Sequence, residues 1–327
     1  MIAKKTIRWA ARPLSVIVIF ASLSLVSQVH ASINVNVDAV QKSVVFLFAA
    51  DSHGDVDKTK PIGTGFFVEI PFKSDPKRVY RVLVTARHMV DPAWAQCGPA
   101  NPNPVVIYAR LNKKTYTPGT GASGVDFVRV DLSEQGRPTW RHHSDEHVDA
   151  AVVPFKANYE LFDTAAVPVW LFPTEEETAL ESIGDPVTSA GLLPFKALTA
   201  GTSRNYPIFK FGQISNIPSE DIETQCLQPT PMQPNPPTFF VKVWLIAANL
   251  VSGNSGSPIF HVPFGNSAIS IGGDRPILLG LQSISFPMAD VAGMTPIKYV
   301  YEILQGVSFP DGDLRRGSQP PTPPPAK

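Results

Sequence analysis

A serine between two glycines is the first candidate for chemistry in this chain of 327 residues. The stretch Val251-Ser252-Gly253-Asn254-Ser255-Gly256-Ser257-Pro258 follows an apolar run from Val241 to Leu250 and precedes Ile259-Phe260. That layout suits a nucleophilic hydroxyl on a tight turn, with backbone N–H groups converging where an oxyanion forms. Glycines supply the turn and the close backbone approach. A Gly/Ser/Asn cluster between two apolar runs is also what an ordinary loop looks like, so the assignment depends on what lies upstream.

Two upstream residues supply it. His88 stands just after the apolar run Tyr80 to Thr85, where it can face a cleft as a general base; the competing assignment is a structural histidine. Asp149 stands just before the buried run Ala150 to Phe155, and a carboxylate there needs a hydrogen-bonding partner to justify its burial. Between Arg141 and Asp149 lie three histidines among acidic residues. They follow no established ligand spacing, so the segment reads as a solvated loop; neither a metal nor any other cofactor is expected.

The surrounding pattern is one of short strands. In the first half, Ser43 to Phe48, Gly63 to Ile70, Tyr80 to Thr85, Val105 to Leu111, Phe127 to Leu132 and Ala150 to Phe155 have β-type composition. The second half repeats the pattern with Pro186 to Leu193, Pro207 to Ile214, Phe239 to Leu250, Ser257 to Val262 and Ile277 to Ser285. Apolar residues at helical spacing from Pro296 to Leu304 predict a short closing helix. With no βαβ alternation, the expected fold is all-β, two six-stranded antiparallel barrels followed by that helix. Residues 32–160 form the first barrel, 161–310 the second, and 311–327 a disordered Pro-rich tail.

Composition narrows the partners. Formal charge is +0 and the sequence pI is 7.1, which leaves no basic footprint for a nucleic acid. Residues 1–31 have the pattern of a signal peptide: Lys4, Lys5, Arg8 and Arg12, then the apolar Leu14 to Val26, then Val29-His30-Ala31 at the cleavage point. That apolar run is shorter than the roughly 20 residues that span a bilayer. The mature chain is therefore expected in the periplasm or outside the cell, with no membrane span. In that setting Cys97 and Cys226 either pair or stay as two buried thiols, and sequence leaves both open.

Taken together, Gly63-Thr64-Gly65-Phe66-Phe67-Val68, Thr85-Ala86-Arg87-His88, Val148-Asp149-Ala150-Ala151-Val152 and Gly253-Asn254-Ser255-Gly256-Ser257-Pro258 resemble the trypsin-like (chymotrypsin-fold) serine proteases, especially bacterial exported ones. The order His, Asp, Ser is that of this fold. Asp149 lies 61 residues after His88, and Ser255 a further 106 on. The resemblance implies Ser255 as nucleophile, His88 as general base and later acid, and Asp149 as the group orienting His88. It also implies an oxyanion hole from the N–H groups of Gly253 and Ser255, and a peptide or protein substrate.

Three departures qualify the likeness: Asn254 stands where the family has Asp, Ser257 where it commonly has Gly, and no Ile-Val-Gly-Gly-like start follows the leader. The first and last imply that no zymogen cleavage is needed. By resemblance the primary pocket has its base at Asn249 and its walls along Ser283-Ile284-Ser285. A neutral base disfavours Lys and Arg and points to apolar or small residues before the cut. The rival to a secreted endopeptidase is an inactive binding or scaffold protein of the cell envelope on the same fold. Substrate identity and oligomeric state are not encoded in any feature of the sequence.

Overall fold

The computed structural model describes residues 37–91, 93–94, 105–117, 119, 123–191, 204–225, 238–250, 253–261, 276–286 and 290–317. The leader, both cysteines and the tail from 318 lie outside the described residues. In the first half, a helix Val37–Ser43 leads into β1 (Val44–Ala50), β2 (Val56–Pro71) and β3 (Val79–Thr85). Then come β4 (Val106–Asn112), β5 (Val125–Asp131), β6 (Ser133–Glu134), β7 (Arg137–Pro138), β8 (Arg141–His142), β9 (Ala151–Pro154) and β10 (Val167–Pro168).

The second half holds β11 (Pro186–Gly191), β12 (Ile208–Asn216), β13 (Ile222–Gln225), β14 (Thr238–Val241), β15 (Trp244–Ala247), β16 (Pro258–His261), β17 (Ile277–Phe286) and β18 (Val291–Pro296). The closing helix is Ile297–Gln305. Among the described residues no helix is long and apolar enough to cross a membrane.

The second half closes as expected, a six-stranded barrel in the order β11-β12-β15-β18-β17-β16. Val187, Ile214, Ile246, Ile259, Leu279 and Met294 fill it. The first half differs from the expected barrel. Among the described residues it is an open eight-stranded sheet, β5-β4-β1-β2-β3-β9-β8, with β10 added parallel to β2. Closure fails at β8, which has two residues and pairs only with β9. The Phe239 to Leu250 run also divides. Its first part, β14, turns away to pair with β13, and only β15 enters the barrel.

One core joins the two halves. Phe46, Phe66, Phe67, Leu83 and Ile107 from the first sheet share a cluster with Ala190, Phe260, Leu278 and Leu281 from the barrel. The closing helix adds Ile297, Val300, Ile303 and Leu304 to the same cluster. Each such side chain contributes about 1.5–3 kcal/mol by leaving water, so the seam between the halves is a packed interior.

The segment beyond the helix is more ordered than a proline-rich composition suggests. Gly312 bridges Phe72, the Asp313 N–H donates to the Pro71 carbonyl at 2.7 Å, and Asp313 is buried. Residues 311–317 are thus not a free tail; they are tied to the end of β2 by main-chain hydrogen bonds.

On the barrel, His261 of β16 places Nδ1 2.9 and 3.0 Å from the two carboxylate oxygens of Glu181, which is buried. The Glu181 hydrogen bond raises the His261 pKa above 6.5, aided by attraction to Glu181 and Asp185 and opposed by burial. A raised folded-state value means that the pair stabilises fully below the unfolded value and loses this as pH rises through the folded one. Urea midpoints are expected to fall as pH rises above about 6.5, and His261→Gln is expected to flatten that slope.

Candidate active site

Strand register brings the two distant upstream residues together. Antiparallel pairing sets Thr85 of β3 opposite Ala151 of β9. The chain leaving β3 therefore runs beside the chain arriving at β9, and His88 meets Asp149. His88 lies in a single 3-10 turn, Arg87–Met89, immediately after β3.

Asp149 is fully buried, and both its oxygens are engaged by one residue. The His88 main-chain N–H donates to Oδ1 at 3.0 Å, and His88 Nδ1 lies 2.7 Å from Oδ2. An ionised carboxylate can only accept, so Nδ1 carries the proton and Nε2 is left as the basic nitrogen. This is the tautomer that a general base requires.

Ser255 sits in the turn before β16. Gly256 N–H donates to the Gln282 carbonyl at 2.7 Å and Gln282 N–H to the Ser257 carbonyl at 2.9 Å, docking the turn on β17. Gly253 and Gly256 have φ of 95° and 85°, the left-handed region that glycine tolerates. A Cβ on Gly256 would stand 2.0 Å from the Thr64 carbonyl oxygen, so no larger residue fits.

The hydroxyl of Ser255, half-buried, donates to the Ser283 carbonyl at 3.4 Å. Among the described residues no hydrogen bond joins it to His88. The N–H groups of Gly253 and Ser255 donate to no other described residue.

The structure also holds residues whose role sequence reasoning missed. Thr64 grips the nucleophile turn at both ends: its N–H donates to the Ser255 carbonyl at 2.8 Å and its Oγ1 to the Gly253 carbonyl at 3.1 Å. Thr85 Oγ1 in turn donates to the Thr64 carbonyl at 2.7 Å. One short ladder thus runs from the strand bearing the histidine to the turn bearing the serine. The only hint in the sequence is a threonine between two glycines. Trp94, whose ring lies 6.4 Å from that of His88 at an interplanar angle of 18°, has no such signal.

Other expected positions fare differently. Ser283 is buried beside Ser255, with its Oγ on the Gly293 carbonyl at 3.3 Å. Ile284 and Ser285 continue that strand half-buried. Asn249 is exposed, because Ala248 and Leu250 on either side turn into the barrel core. An exposed side chain is not the enclosed floor expected of a primary pocket. The Asn249 carbonyl instead accepts a hydrogen bond from Lys210 Nζ.

The histidine-rich loop disperses: His143 pairs with Glu302, His147 with Asp221, and His142 with the His143 carbonyl.

No family model and no curated protein matches the chain. Among solved structures it is similar to the apo-form MamO protease domain from Magnetospirillum magneticum, at 14% identity and TM-score 0.44, over 83% of this chain and 98% of that one. It is also similar to the active form of the Rv3671c protease from M. tuberculosis, at 16% identity and TM-score 0.41, over 85% and 88%. The inactive form of that protease gives 15% identity and TM-score 0.39, over 84% and 92%. Each of these neighbours is a protease or protease domain. Similarity this low leaves the chemistry to be read from the site itself.

Removing the Thr64 hydroxyl tests the ladder. Thr64→Val is expected to lower stability by about 1 kcal/mol in urea unfolding, while Thr64→Ser, which keeps the donor, is expected to stay within about 0.5 kcal/mol of the parent.

Proposed function

We propose that the chain is an exported serine endopeptidase that cleaves peptide bonds through an acyl-enzyme. The observation that carries this is the fully buried Asp149 bonded twice to His88, with a glycine turn bearing Ser255 tied through Thr64 and Thr85 to the strand just before His88. A buried carboxylate given wholly to one histidine is costly for a structural purpose alone and is what a base of the right tautomer needs.

In this mechanism His88 Nε2 takes the Ser255 proton as Oγ attacks the substrate carbonyl. The N–H groups of Gly253 and Ser255 receive the developing oxyanion, each worth on the order of 3 kcal/mol in the transition state. Asp149 stabilises the imidazolium, which then protonates the leaving amine. Water repeats the sequence to release the acyl group. Catalytic hydrogen bonds are commonly long before substrate binds, consistent with Ser255 resting on the Ser283 carbonyl.

That same resting position favours a second function, an inactive binding protein on this fold. Labelling with a fluorophosphonate separates the two. The parent chain is expected to take one label, Ser255→Ala none, and Asp149→Asn to label on the order of 10⁴-fold more slowly. A folded parent chain that takes no label would exclude the peptidase and leave the binding protein.

A further inference from the structure

Beside the candidate base lies a cavity of about 420 Å³ that the mechanism does not use. Among the described residues its walls are Arg87, Asp91, Trp94, Glu146, Phe239 and Phe240, with Ala93 and His147 at the margin. Three rings form the apolar part. Trp94 and Phe239 meet edge to face at 5.5 Å, and Phe240 keeps 46% of its surface exposed. Trp94 is pinned by its Nε1–H, which donates to the Glu146 carbonyl at 2.7 Å. It spans the space between the cavity and the His88 ring.

The charges around these rings do not cancel. Arg87, buried, reaches Asp91 Oδ2 with Nε at 3.0 Å. Its Nη1 stands 2.7 Å from Glu146 Oε2, an ion pair whose angles do not make a hydrogen bond. One guanidinium thus faces two carboxylates, and the Glu146 side chain stays 66% exposed. The neighbouring cation, Lys242, is engaged by Asp221 at 2.8 Å and Asp145 at 3.4 Å, and His147 is bonded to Asp221. The Arg87 guanidinium already lies 5.9 Å from the Trp94 ring centroid, so the cavity offers the Phe239 and Phe240 rings together with an excess of one negative charge. A cation is attracted to ring faces, and more strongly where water is partly excluded.

Resting on the peptidase function proposed above, we infer that this cavity is a subsite for a basic side chain, Lys or Arg, of the peptide substrate. The side chain belongs to a residue other than the one whose carbonyl is attacked, since neither Ser255 nor the Ser283 strand it rests on is among the described residues that line the cavity. A long flexible stem crosses the rings while the charged head meets Glu146 and Asp91. Cleavage would then be directed by a position away from the cut.

A positional peptide library scored by mass spectrometry tests this with the full chain. The parent is expected to favour Lys or Arg over norleucine by about tenfold at one position flanking the cut. Phe240→Ala and Glu146→Gln are each expected to bring that ratio near one, and Glu146→Lys to turn it toward acidic residues. No basic enrichment in a parent chain that labels at Ser255 would overturn the subsite and leave the peptidase standing. Basic enrichment confined to the residue before the cut, or surviving in both single variants, would also overturn it. A parent chain that neither labels nor cleaves would remove the peptidase and the subsite together.

Discussion

Asp149 imposes the constraint around which the site is arranged. A carboxylate with none of its surface exposed must be met by donors, and both of its oxygens are met by His88. Losing one partner of a buried charged pair costs about 3–5 kcal/mol, so the imidazole is held where it is by the stability of the fold. The same contact selects the proton position on the ring. What the interior needs for electrostatic reasons is also what a general base needs for chemical ones.

The second half of the site is positioned by a different kind of contact. Ser255 is placed by main-chain bonds to Gln282 on one side and to Thr64 on the other. Thr85, three residues before His88, supports Thr64 through its hydroxyl. One short chain of hydrogen bonds therefore links the end of β3, three residues before His88, to the turn that bears Ser255, over a core that runs from the first sheet into the barrel.

Strand composition made the β-architecture legible, and alternation located nearly every strand near the nucleophile. It failed where two strands share one apolar run. Nothing in Phe239 to Leu250 marks the break at Lys242-Val243, because both pieces are apolar and their partners lie far away in sequence. Asn249, which a resemblance put at a pocket floor, lies past the end of β15 with its side chain exposed. Proline content suggested a loose tail from 311, whereas main-chain bonding to Pro71 and Phe72 holds its first residues. Barrel closure in the first half depends on edge pairing, and a two-residue strand does not provide it.

Residue order alone was enough to mark Ser255, His88 and Asp149, since a glycine-flanked serine, a histidine after a strand and an acid before one are local patterns. The pairing of His88 with Asp149, the grip of Thr64 on the turn bearing Ser255, and the meeting of Trp94 with Phe239 needed the folded chain. These contacts join residues from 61 to 191 positions apart, and which distant groups meet is set by strand register and core packing, quantities that no local window contains.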